Sequence, residues 1–125
     1  MSTIRPFAAL RPSPSNVDRV SAVPYDVVNA EEARAMAAGN PLSFLHISRA
    51  EIDLPPATDP YSDAVYNKAL ENFTNLRQAA PLVVEDVPAV YFYRLKMGNH
   101  CQTGLAACYS VGEYDIDLIK KHEKT

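Results

Sequence analysis

Between Pro60 and Pro81 the apolar residues Val65, Ala69, Phe73, Leu76 and Ala80 recur at spacings of four and three, which places them on one stripe of a helix. Asp59 and Pro60 read as its N-cap and first helical residue, and Pro81 ends it. Asn29, with Glu32 three positions on, has capping-box spacing and predicts a second helix over 30–38, stopped by Gly39 and Pro41. The run Leu42-Ser43-Phe44-Leu45-His46-Ile47-Ser48 is mostly apolar and of strand length, so it reads as an interior strand followed by a loop over 49–58. Ile4 to Leu10 reads as an edge strand because Pro6 lacks the N–H that a central strand would use. Arg11 to Asn16 reads as a loop, and Val17 to Val23 as a short helical turn or strand.

Towards the other end, Ala89 to Lys96 is rich in aromatic and β-branched residues. The turn Met97-Gly98-Asn99-His100 returns it to a second strand, Cys101 to Val111, with Thr103, Leu105, Ala107, Tyr109 and Val111 on one face. The order of elements predicts an α/β (α+β) fold, a mixed β-sheet carrying two main helices and a C-terminal β-hairpin. At 125 residues, one compact domain over 1–125 is expected. No internal repeat is visible.

Composition narrows the class. The chain is 47% hydrophobic and 22% charged, which excludes disorder and coiled coil. A net charge of −3 argues against a dedicated nucleic-acid binder, which needs a strong basic face. No apolar run reaches the roughly 20 residues of a membrane span, and the first residues carry no signal-peptide stretch, so a cytoplasmic protein is expected. Cys101 and Cys108 fall in one predicted strand at an odd separation, on opposite faces, and are expected as buried free thiols; without CxxC no metal site is expected. Eight of the ten prolines fall at or before Pro60, so the first half is stiffly extended. Residues 1–62 carry five Arg and no Lys, and Arg5, Arg11 and Arg49 are the better forks for carboxylate or phosphate.

Two clusters offer chemistry. Pro24-Tyr25-Asp26 sets a phenol and a carboxylate on a rigid turn; Asp26 could act as a general base, or simply cap backbone N–H groups. Lys120-Lys121-His122-Glu123-Lys124-Thr125 could bind phosphate, with His122 or Glu123 moving a proton, or could be a solvated tail. His46 reads as a hydrogen-bonded core imidazole, and His100 as a solvated turn residue. Tyr91, Phe92 and Tyr93 could stack bases, but alternation divides them between two faces and core packing explains them better. No Walker, GxGxxG, HExxH or GxSxG motif occurs.

The segments Ile4-Arg5-Pro6-Phe7-Ala8-Ala9-Leu10-Arg11-Pro12, Pro24-Tyr25-Asp26-Val27-Val28, Asn40-Pro41-Leu42-Ser43-Phe44-Leu45-His46, Tyr91-Phe92-Tyr93-Arg94 and Ile119-Lys120-Lys121-His122-Glu123-Lys124-Thr125 stand in order along the chain. Together they resemble the start of the bacterial and archaeal domain-of-unknown-function family numbered ten-fifteen. Val23 stands where that family usually has a second proline. Members usually continue for several hundred residues, so the resemblance implies that this chain is the amino-terminal portion of a longer protein, whose remaining C-terminal portion would be a partner surface. The family's later Gly-His-His-Arg segment, absent from this chain, is similar to the Gly-x-His-Arg signature of the ParB and sulfiredoxin group, which binds nucleotides and includes small-molecule kinases. This implies part of a nucleotide-dependent phosphotransferase acting on a small molecule, using a nucleotide with Mg²⁺. In that reading Asp26, His122 and Glu123 are catalytic, and Arg5, Tyr25, Lys121 and Lys124 bind the ligand. The alternative is a non-catalytic regulatory or protein-binding module, with those residues structural.

Overall fold

The apolar stripe is a helix, α4, in a computed structural model that describes residues 1–121. It spans Asp63–Ala79 and turns Val65 and Leu76 inward, with Ala80 buried just past its end. Its N-cap is Ser62, three residues later than the Asp59 that the sequence suggested. Asp59 instead closes a separate turn, its Oδ1 accepting from the Tyr61 amide at 2.9 Å while its carbonyl accepts from the Ser62 amide.

Packing divides the described residues into two compact units, 1–10 with 84–121 and 11–83. In the second unit, α1 (Val17–Val20) precedes a 3₁₀ turn at Tyr25–Val27. Next comes α2 (Ala30–Ala37), whose capping box is complete: Asn29 Oδ1 accepts from the Glu32 amide and Glu32 Oε2 from the Asn29 amide, each at 2.9 Å. Gly39 follows at φ 73°, a left-handed conformation that suits glycine at a helix end.

The predicted interior strand over 42–48 is instead a turn leading into α3 (Leu45–Ser48), continued by a 3₁₀ turn at Ala50–Asp53 within the predicted loop. A short apolar run does not distinguish a buried strand from a buried helical segment. Spacing within the folded unit decides it: Leu42, Leu45 and Ala50 are buried, and α3 packs on both α4 and the 50–53 turn. Two clusters make the core of this unit: Val20, Leu42, Leu76 and Ala80 with Ile47 against them, and Ala33, Ala37, Leu45 and Ile52 with Val23 and Val28.

The other unit is built from strands. β1 (Ile4–Arg5) pairs antiparallel with β6 (Cys108–Tyr109), setting Ile4 opposite Tyr109 and Arg5 opposite Cys108. Pro6 interrupts the predicted 4–10 strand; beyond it Phe7 bridges Ala89 and packs its ring at a tilt, centroids 5.1 Å apart, against Tyr91, whose hydroxyl donates to the Phe7 carbonyl and accepts from the Ala9 amide. The expected hairpin is present, β4 (Tyr91–Met97) pairing antiparallel with β5 (His100–Ala106) across a turn at Gly98 and Asn99. Gly98 has φ 57°, as a tight hairpin turn requires. The predicted 101–111 strand breaks at Ala107, where the chain leaves β5 to pair with β1, and then turns into α5 (Val111–Asp115).

The α/β class holds, with two main helices and the hairpin; among the described residues the strands form three two-stranded sheets, including β2 (Leu10–Pro12) with β3 (Leu82–Val84), instead of one mixed sheet. β2 takes up the start of the predicted 11–16 loop. Cys101 and Cys108 lie on different strands and are free and exposed, contrary to the buried pair expected on one strand. Phe92 and Tyr93 are exposed, not packed in a core. No described helix is long and apolar enough to cross a membrane.

Candidate functional site

Arg5, one of the residues selected from the sequence, has a cavity beside it. The β1–β6 pairing and the start of α5 surround a cavity of about 380 Å³ lined by Thr3, Arg5, Cys108, Tyr109, Ser110 and Glu113. Ser110 caps α5, its Oγ accepting from the Glu113 amide at 3.3 Å. The Glu113 side chain turns back to accept from the Thr3 amide at 2.8 Å through Oε2, tying α5 to the residue preceding β1. Among the described residues no hydrogen bond or ion pair holds the Arg5 guanidinium, and a guanidinium fork matches the oxygens of an oxyanion. A carboxylate stands on the same wall. A guanidinium that takes phosphoryl oxygens beside a carboxylate that takes a hard cation is a donor set that fits a magnesium-bound phosphate.

The other expected residues are placed as follows. Tyr25 and Asp26 are exposed on the 3₁₀ turn after Pro24, and among the described residues no partner holds the Asp26 carboxylate. Lys121 is half-buried, pairs with Asp117 at 3.0 Å and sits 4.5 Å from the centre of the Tyr114 ring. His122, Glu123 and Lys124 lie outside the described residues.

Spacing did not reveal a polar cluster in the helical unit. His46 Nδ1 meets Asp53 Oδ2 at 2.8 Å, and Nε2 meets the Asn40 carbonyl at 3.1 Å. Asn72 of α4 donates to both the Asp53 carboxylate and the His46 carbonyl. The expected core imidazole is hydrogen-bonded, but it is half-buried and sits on a helix instead of a strand. Both ring nitrogens face acceptors, and a neutral ring, with one N–H, satisfies one of them at a time. Cavities of about 350 Å³ lie on two sides of the cluster, one lined also by Arg34 and the other by Lys68. His46 was visible as a polar interruption of an apolar run, but Asp53 and Asn72, seven and 26 positions away, were not.

The family model described as Protein of unknown function (DUF1015) matches residues 4–125. No curated protein and no solved structure matches the chain.

Proposed function

We propose, from the premise that this chain belongs to the DUF1015 family, that it forms part of a nucleotide-dependent phosphotransferase acting on a small molecule. The observation that supports this reading is the placement of Arg5 on the wall of the cavity between β1, β6 and α5, beside Thr3, Ser110 and Glu113. Arg5 binds the phosphoryl oxygens, and Thr3 and Ser110 offer further donors. Glu113, held through one oxygen by the Thr3 amide, is the residue that would take Mg²⁺; the metal supplies charge neutralisation at the phosphates. Asp26 and the run Lys121-His122-Glu123-Lys124 keep the proton-moving and binding roles that the family resemblance implies.

Thermal-shift titration with ATP, ADP and GTP, with and without Mg²⁺, tests the reading. A ligand that binds only the folded chain adds about 2.7 kcal/mol at one hundred times its Kd. A rise in Tm that Arg5→Ala abolishes is expected, and the absence of a response to every nucleotide at saturation sinks the proposal.

A second reading, a protein-binding module, is favoured by the hairpin. Tyr93, Leu95 and Met97 alternate along one face of β4, and all are exposed, Met97 at 81%. Apolar side chains in a row on one sheet face mark a surface that a partner covers. A stoichiometric partner that is lost on Leu95→Asp, with full function retained in Asp26→Ala, would favour this reading over the enzyme.

A further inference from the structure

Arg49 was singled out in the sequence as a fork for an anion, and nothing described so far uses it. It lines a cavity of about 270 Å³ in the helical unit together with Ala30, Arg34, Glu51, Thr58 and three prolines. The two arginines come from different elements, Arg34 from α2, where it also borders the cavity beside His46, and Arg49 from the junction between α3 and the 50–53 turn.

Each guanidinium is braced. Arg34 Nε donates to the Ile52 carbonyl at 3.1 Å, which fixes the plane of the group and leaves its two terminal nitrogens without a partner among the described residues. Arg49 donates from one terminal nitrogen to the Val28 carbonyl and pairs through the other with Glu51 at 3.1 Å. Its Nε is buried and has no hydrogen-bond partner. A buried N–H left unsatisfied is costly, and more so on a charged group, so Arg49 carries a hydrogen-bonding deficit close to this cavity.

Charge points the same way. Two guanidinium groups against one carboxylate leave the wall with an excess positive charge, and Glu51 is already committed to Arg49. The terminal nitrogens of Arg34 form a planar fork that matches two oxygens of one oxyanion, and Thr58 contributes a hydroxyl to the same wall. Pro55, Pro56 and Pro60 lock their own φ angles, so the wall loses little chain entropy when a ligand enters.

We propose that the cavity between α2 and the 50–60 segment is a binding site for a phosphoryl group, gripped by the Arg34 fork and neutralised by Arg49. The source is either free inorganic phosphate or the phosphates of a nucleotide. This site is separate in residues from the Arg5 cavity and does not depend on it.

The test follows the Nε–Hε signals of Arg34 and Arg49 by NMR while inorganic phosphate or ATP is added at constant ionic strength. Saturable shifts at both signals are expected, with affinity at least tenfold weaker in Arg34→Gln and unchanged in Arg5→Ala. Saturation by phosphate alone identifies the free ion, and saturation only by ATP identifies the nucleotide. Should Arg34→Gln lose its fold through the Ile52 contact, Thr58→Val provides the second reading, with an expected loss of affinity in a folded chain. Shifts that grow linearly with both probes, or a saturable response untouched by Arg34→Gln and Thr58→Val, overturn the proposal.

Discussion

At the scale of single residues, the polar groups of the helical unit divide into those that hold it together and those free to act. Asn72 belongs to the first group, since it supplies the donor for both the Asp53 carboxylate and the His46 carbonyl. Asn72→Ala leaves both acceptors short and is expected to cost about 1–3 kcal/mol, read as a lower urea midpoint at unchanged slope. Asp26 belongs to the second. It is exposed and no described partner holds it, so Asp26→Ala is expected to move stability by no more than about 0.5 kcal/mol. Any loss of nucleotide response in that variant then reports function, because the urea midpoint would show the fold intact.

At the scale of elements, the helices depend on different things. α2 has eight residues, too few to be stable by propensity alone, and its capping box satisfies two of its N-terminal N–H groups. Asn29→Ala is expected to destabilise the chain by about 1 kcal/mol, while Asn29→Asp preserves the cap. α4 depends on burial, and Leu76→Ala is expected to cost about 2–5 kcal/mol, because Leu76 sits in a cluster with Val20, Leu42 and Ala80. These elements were legible because their signals are local: a cap three residues from its partner, or a stripe within one helix. The 42–48 segment was misread as a strand because seven apolar-rich residues fit either period, and only packing against α4 and the 50–53 turn selects the helix. The break at Ala107 was hidden for the same reason: β6 leaves the hairpin to meet β1, some hundred residues away, and no local pattern encodes that partner. The site was legible to a similar extent. Arg5 was identified by residue type, but Glu113 joins it only through the fold.

At the scale of the whole chain, burial is uneven. Every fully buried apolar residue among those described lies within 11–83. Unit 11–83 therefore carries both core clusters by itself, and a fragment of those residues is expected to retain cooperative thermal unfolding by circular dichroism. In the strand unit, Phe92 is 83% exposed and the hairpin is held by backbone pairing and its turn. Its amides are accordingly expected to exchange with deuterium faster than those of α4 by orders of magnitude.

The strand unit is also discontinuous in sequence, since β1 lies at residues 4–5 and its partner β6 at 108–109. During synthesis, at about 5–20 residues per second, β1 is made roughly 5–20 s before β6 exists. The whole helical unit is translated in that interval and can close on its own core. The nascent chain thus folds from its middle outwards, and the first strand made waits longest for its mate.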